Sequence, residues 1–340
     1  MYKKFFDLKR NPFEIAPDPH FLFFTERHRE ALASIYYGIC RRKGFVLMTG
    51  EVGTGKTLLV RCLLELLTRQ QVAFANVFNP LLSAENFLRY VASDLGITLA
   101  DRSKSTLLFE LNNFLIARLR KGLTTVLIVD EAQNLELEVL EEIRLLTNLE
   151  TAKQKLLQIL LVGQPELEPK LDCANLRQLK QRVALRCRLE ALEQQEVQGY
   201  IVRRLTLGGM ATNPEAVFSP GAVAAIYHYS QGIPRLVNTI CENSLIAAFA
   251  QKARTVSAQM VEEISAEFRL GRWARPSEPT AVNETVAAAR FLLQFAESLK
   301  IVSHGDGRQP AKTYRPPSAG NDVNFLPSSL DISKVVTPRT

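Results

Sequence analysis

The chain has 340 residues, 46% of them hydrophobic and 23% charged, with a formal net charge of +7 at pH 7. That composition suits a globular protein of roughly two domains with a tail. It carries no basic, apolar leader at the N-terminus, and the late apolar stretch 286–302 is interrupted by Arg290, Gln294, Glu297 and Lys300, so neither a secretory signal nor a membrane span is expected. A cytoplasmic location follows as the expectation. The five cysteines, Cys40, Cys62, Cys173, Cys187 and Cys241, show no C-x-x-C spacing and are expected to be reduced core thiols. The positive charge permits contact with nucleic acid or an anionic membrane, but the basic residues are too dispersed to argue for either.

The opening segment, residues 5–25, contains Asn11-Pro12-Phe13 and Ala16-Pro17-Asp18-Pro19, and this proline punctuation predicts an extended stretch rather than a helix. Phe5, Phe6, Phe13, Phe21, Phe23 and Phe24 crowd it. Such rings can pack on the first predicted helix, about residues 27–41, or fold over a nucleotide base. Phe13 is the candidate for an adenine contact.

After the apolar run Phe45-Val46-Leu47-Met48 comes Gly50-Glu51-Val52-Gly53-Thr54-Gly55-Lys56-Thr57, which fits G-x-x-x-x-G-K-[ST] with no mismatch, and a helix-like run begins at Leu58. Strand, loop, helix is the context a phosphate-binding loop requires. Glycines let backbone N–H groups turn inward around phosphates, and the helix presents its positive end to the same charge. Lys56 is expected to reach the β- and γ-phosphates of ATP, and Thr57 to give its hydroxyl to Mg²⁺. A chance glycine turn would require neither flank.

Residues 72–77 read as a second strand, stopped by Asn79-Pro80, and helical periodicity covers 83–94, with Ser83 as N-cap, and 107–119. Thr125-Val126-Leu127-Ile128-Val129 is a continuous apolar, β-branched run suited to a strand buried on both faces, with Asp130-Glu131 at its end. Ligands of open α/β sheets gather beyond the carboxyl ends of strands, so Asp130 is expected to hold Mg²⁺ and Glu131 to orient or deprotonate the attacking water. Plain helix N-terminal charges are the alternative, which would leave the loop without a metal carboxylate. A helix over 135–149 and a buried strand over 156–162 follow, closed by Gly163-Gln164-Pro165. Gln164 is therefore a candidate to sense the γ-phosphate or the attacking water, against a simple turn glutamine. Arg177, Arg182, Arg186 and Arg188 cluster around a predicted helix 176–182 and a fifth strand 184–189. Arg182 is nominated as a finger toward a neighbouring subunit's γ-phosphate, since a guanidinium stays charged and bridges two oxygens, against a solvated charge. Strands alternating with helices at this spacing predict an α/β fold with a parallel sheet.

Beyond Leu192 four helical stretches, about 194–207, 220–230, 234–251 and 258–269, predict a small helical domain. Gly232-Ile233-Pro234-Arg235 opens the third, aiming Arg235 back at the phosphates. The organisation expected is thus a core with its N-terminal segment over 1–192, a helical lid over 193–270, and a proline-rich tail over 271–340. Within the tail, 284–302 has the apolar spacing of one helix, to dock on a partner or on its own protein.

The strings NPFEIAPDPHFLFFTERHREAL, GEVGTGKT, VLIVDEAQ, LLVGQPEL, LKQRVALRCRLEAL and SQGIPRLVN resemble, in order and spacing, the AAA+ ATPases of the ExeA, or general secretion pathway protein A, type, over about residues 1–270. The resemblance implies a P-loop NTPase core of five parallel strands with a helical lid. It further implies Gln164, Arg182 and Arg235 as sensor 1, arginine finger and sensor 2, and a ring or ring-like homo-oligomer. Secretion-type members continue into a membrane helix and a periplasmic region, whereas this sequence continues into the proline-rich tail.

The leading expectation is an ATPase that drives assembly of a secretion, pilus or polysaccharide-export apparatus from the cytoplasmic face of the envelope. A DNA-dependent regulatory ATPase of the transposition type shares the same core and would bring nucleic acid as a partner. A nucleotide-gated scaffold with little turnover is the third, disfavoured by intact Lys56, Asp130 and Glu131.

Overall fold

The computed structural model describes residues 2–14, 18–78, 82–97 and 103–270; the tail after Leu270, with the predicted helix 284–302, lies outside the described residues. In chain order the elements are α1 (Tyr2–Phe5), α2 (Glu26–Cys40), β1 (Phe45–Gly50), α3 (Lys56–Thr68), β2 (Ala73–Val77), α4 (Ala84–Asp94), α5 (Lys104–Arg120), β3 (Thr125–Val129), α6 (Leu137–Leu146), β4 (Gln158–Gly163), α7 (Leu167–Leu171), α8 (Arg177–Lys180), β5 (Leu185–Leu189), α9 (Gln194–Leu207), α10 (Pro220–Ser230), α11 (Pro234–Ala250) and α12 (Ala258–Glu267).

The five strands form one sheet in the order β2-β3-β4-β1-β5, and every pairing is parallel. Because side chains alternate along a strand, each strand supplies two cores. Phe45, Leu47, Ala75, Val77, Leu127, Val129, Ile159 and Leu161 face α4, α5 and α6, against Phe87, Leu111 and Ile143 among others. Val46, Met48, Val126, Ile128, Leu160 and Val162 face α2 and α3, against Leu32, Ile35, Leu59 and Leu63. Burial on both faces is why β1, β3 and β4 read as unbroken apolar runs. β5 closes one edge, and there Arg186 and Arg188 are exposed while Cys187 and Leu189 are buried.

Polar residues place the helix starts. Ser83 accepts from the Asn86 N–H at the head of α4, and Thr25 accepts from the His28 N–H at the head of α2. Glu193 and Glu196 form a reciprocal capping box at α9.

A third core joins α9–α12 to the beginning of the chain. Tyr2, Phe6, Leu8 and Phe13 are buried with Val197, Ile201, Leu205, Phe218, Ile240 and Leu245. Tyr2 donates its hydroxyl to Glu242 at 2.7 Å, and Arg204, 5% exposed, donates from Nη1 to the Pro12 carbonyl at 2.7 Å. The N-terminal segment, grouped above with the sheet, thus packs with the helices that follow it by nearly 200 positions. The reason is apolar area: its rings find an unfilled helical core there, and α2 is already covered by the sheet.

Several local expectations change. A short helix, α1, precedes the opening segment and shares only Phe5 with it, and the segment itself contains a 3₁₀ turn over Pro19–Phe21. α7 was not predicted, and the helix expected over 176–182 is the short α8 preceded by a 3₁₀ turn over Ala174–Leu176. Cys62, Cys187 and Cys241 are buried as expected, whereas Cys40 and Cys173 are exposed. Among the described residues, no helix is long and apolar enough to cross a membrane.

Candidate nucleotide site

The loop between β1 and α3 is held open by its own backbone. A Cβ at Gly50 would sit 2.6 Å from the Leu189 carbonyl oxygen, and Gly53 and Gly55 have φ of 82° and 99°, the left-handed region that glycine enters without strain. Thr54 is fully buried and donates its hydroxyl to the Glu51 carbonyl at 2.8 Å. Beneath the loop lies a residue that sequence reasoning missed, His28, which is buried and shares a 2.7 Å hydrogen bond with the Thr25 hydroxyl. Burial pushes its imidazole below the ordinary value, opposed by a hydrogen bond to the Thr54 backbone.

Lys56 opens α3. Its ammonium is buried, donates to the carbonyls of Gly50 at 2.7 Å and Glu51 at 3.0 Å, and among the described residues forms no ion pair. Burial lowers its pKa, while Glu131, Asp130, Glu51 and Glu166 pull it back. A buried cation coordinated only by neutral carbonyls is an anion receptor.

Thr57 donates its hydroxyl to Asp130 Oδ2 at 2.8 Å, joining the start of α3 to the end of β3. Asp130 is 3% exposed; burial raises its pKa, and the hydrogen bonds from Thr57 and from the Glu131 N–H (2.9 Å, to Oδ1) oppose that rise. A hydroxyl and a buried carboxylate are hard oxygen donors, so this pair fits Mg²⁺. Glu131 has φ of 53°, unusual for a side-chain-bearing residue and a source of strain at functional sites. Its Oε2 accepts from Gln164 Nε2 at 3.2 Å and from Gln133 Nε2 at 2.6 Å.

From the lid, the Arg235 N–H at the start of α11 donates to the Gly53 carbonyl at 3.3 Å, and the Arg235 side chain is exposed beside the loop. Gly232, φ 73°, makes this approach possible, since a Cβ there would lie 1.9 Å from the Leu192 carbonyl oxygen. Val52, Gly53, Gly55, Lys56, Thr57, Glu131 and Arg235 line a cleft of ≈ 460 Å³ together with Asp18, Tyr200, Arg204 and Asn238. Tyr200 donates to Asn238 Oδ1 at 2.7 Å.

Two expected residues lie elsewhere. Phe13 has no exposed surface, packs edge-on against Phe218 with centroids 6.1 Å apart, and does not line the cleft. The adenine contact assigned to it is corrected, because the ring is spent on the helical core. Arg182 lies past the end of α8, donates from Nη1 to the Thr147 hydroxyl at 2.8 Å, and is also absent from the cleft lining. Tyr200 and Asn238 carried no sequence signal, since each enters the site through a partner distant in the chain, and Gln133, although it ends the string VLIVDEAQ, was given no role.

The family model described as "AAA domain" matches residues 16–171. General secretion pathway protein A of Aeromonas hydrophila is 44% identical over 258 residues, which is 75% of this chain; the chain spans 46% of that curated relative's length. Among solved structures, the Aeropyrum pernix ORC2 protein aligns at 19% identity and TM-score 0.55, over 76% of this chain and 72% of that one. Drosophila ORC bound to DNA aligns at 19% identity and TM-score 0.59, over 86% and 72%. At that identity the two structures speak to fold alone, and they share the α/β P-loop architecture described above. The loop over Lys56, the carboxylates ending β3 and the sequence likeness converge: residues 16–171 are an AAA domain, and three quarters of the chain is similar to general secretion pathway protein A.

Proposed function

We propose that this chain is a Mg²⁺-dependent ATPase which couples ATP binding and hydrolysis to assembly of a secretion-type envelope apparatus, acting from the cytoplasmic side as a homo-oligomer. The observation that carries the nucleotide part is Lys56, a buried ammonium with only carbonyl partners, standing next to the Thr57–Asp130 pair. A triphosphate supplies the anionic oxygens that this ammonium lacks, and the N-terminal end of α3 adds its positive dipole. Thr57 and Asp130 would hold Mg²⁺, whose bound charge neutralises the phosphates. Glu131 takes the proton of the attacking water, and Gln164 donates an amide hydrogen beside it. Arg235 faces the phosphates from the lid, so closure of the lid brings its charge to the reacting group. The base and ribose then extend toward Asp18, Tyr200, Arg204 and Asn238. Arg182, held by Thr147 away from its own cleft, serves a neighbouring subunit's nucleotide.

The link to secretion rests on the 44% identity to general secretion pathway protein A. Titrating the full chain with ATP in the presence and absence of Mg²⁺, and following phosphate release, tests the first part. An intact chain that neither binds nor hydrolyses ATP would overturn it. Co-purification from the native host with envelope-complex subunits tests the second.

A further inference from the structure

Gln133 stands two positions after Glu131 in a turn that the proposed chemistry does not use. Its carboxamide is fixed at both ends. Oε1 accepts the backbone N–H of Gln164 at 3.0 Å, which settles the orientation of the amide, so Nε2 must point the other way, and there it donates to Glu131 Oε2 at 2.6 Å. The turn itself is anchored, because Lys170 Nζ donates to the Gln133 carbonyl at 2.9 Å and also to the Leu135 carbonyl. A Cβ at Gly163 would approach Gln133 Oε1 to 3.0 Å and Leu167 to 2.7 Å, so the end of β4 is kept bare where the amide lies. The side chain therefore braces the end of β3 against the end of β4.

We infer that Gln133 is a positioning residue for hydrolysis: it holds the Glu131 carboxylate, on a backbone already at φ 53°, in the orientation from which it acts on water. The inference rests on the ATPase reading of this cleft. Glu131 Oε2 is saturated by two amide donors from Gln133 and Gln164, which leaves Oε1 as the atom able to accept a proton. Without Gln133, the carboxylate keeps one donor at 3.2 Å, and its remaining torsions are free. Gln133 does not line the cleft, and its side chain bonds to Gln164 and Glu131 rather than to Thr57 or Asp130, so nucleotide affinity is not expected to depend on it.

The test is a cycle of four full-length proteins: wild type, Gln133→Met, Glu131→Gln and the double variant. Methionine keeps the length and volume while removing both hydrogen bonds. Expected is a ten- to hundredfold loss of kcat in Gln133→Met, the scale of a catalytic group displaced by about an ångström. The ATP dissociation constant should stay within twofold and the melting temperature should change little. In the Glu131→Gln background the same change should cost nothing further, because the residue acts only through the carboxylate. Gln133→Glu, which still accepts from the Gln164 N–H but cannot donate to Glu131, should be as slow as Gln133→Met. A wild-type chain without turnover sinks the ATPase reading itself. Turnover by Gln133→Met at the wild-type rate, or an equal loss added on top of Glu131→Gln, overturns the inference about Gln133 alone.

Discussion

The backbone N–H of Arg235 rests on the carbonyl of Gly53 at 3.3 Å, so the first turn of α11 touches the tip of the phosphate loop directly. A Cβ at Gly53 would lie 2.6 Å from the Arg235 Cβ, and the φ of 82° is costly for any other residue. Gly53→Ala should weaken ATP binding by roughly tenfold or more, from about 1–2 kcal/mol of left-handed strain plus displacement of the lid contact. Calorimetric titration measures it, and affinity equal to wild type would mean that loop and lid move independently.

Lys56 and Glu131 should fail in different ways. Lys56→Ala removes the buried ammonium and should abolish measurable ATP binding. Glu131→Gln preserves that ammonium and should keep ATP bound while kcat falls by roughly two orders of magnitude or more. Parallel binding and turnover assays separate the two, and an active Glu131→Gln variant would remove Glu131 from its assigned role.

Arg182 offers a test in mixtures. It is tied to Thr147 and does not line its own cleft, and the role proposed for it is contact with another subunit's phosphate. Arg182→Ala and Lys56→Ala should each be inactive alone, whereas co-assembled mixtures contain interfaces with an intact loop on one side and an intact arginine on the other. Recovered turnover is the expected outcome; silence in mixtures shown to co-assemble would assign Arg182 to packing with α6.

His28 should make stability depend on pH. Burial lowers its pKa below the ordinary 6.5 in the folded chain, so between that lowered value and 6.5 the unfolded chain binds the extra proton. Stability is therefore full above about pH 6.5 and is lost as the pH falls below it, by at most about 1.4 kcal/mol per pH unit for one proton. Thermal melts across that range should show the slope, and His28→Gln should flatten it. An unchanged slope in the variant would place the pH sensitivity elsewhere.

The sheet and the phosphate loop were legible because their information is local. β3 occupies the five residues of its apolar run, and α9 and α10 begin and end where the helical stretches 194–207 and 220–230 were expected. α7 was hidden by Pro169, which sits in the first turn, where its missing N–H costs nothing, yet which reads in sequence as a break. Phe13 was misplaced because aromatic burial has no address in sequence: the ring goes where a cavity remains, and that cavity is built by α9 to α11, about 200 positions later. The role of Gln133, though the residue ends the string VLIVDEAQ, was hidden for a similar reason. Its partner N–H is 31 positions away, on a strand end adjacent only in space.

The hydroxyl of Tyr2 and the carboxylate of Glu242 meet across 240 positions of chain. The aromatics of residues 2–13 are synthesised well before α9 to α11, the helices with which they are buried. The sheet has cores of its own, so we predict that it matures while that segment remains exposed and that the helical domain closes around it afterwards. Pulse-labelled hydrogen exchange should accordingly find the amides of β1, β3 and β4 protected before those of α9 to α11. A chaperone that recognises exposed phenylalanine should hold the nascent chain at residues 2–14.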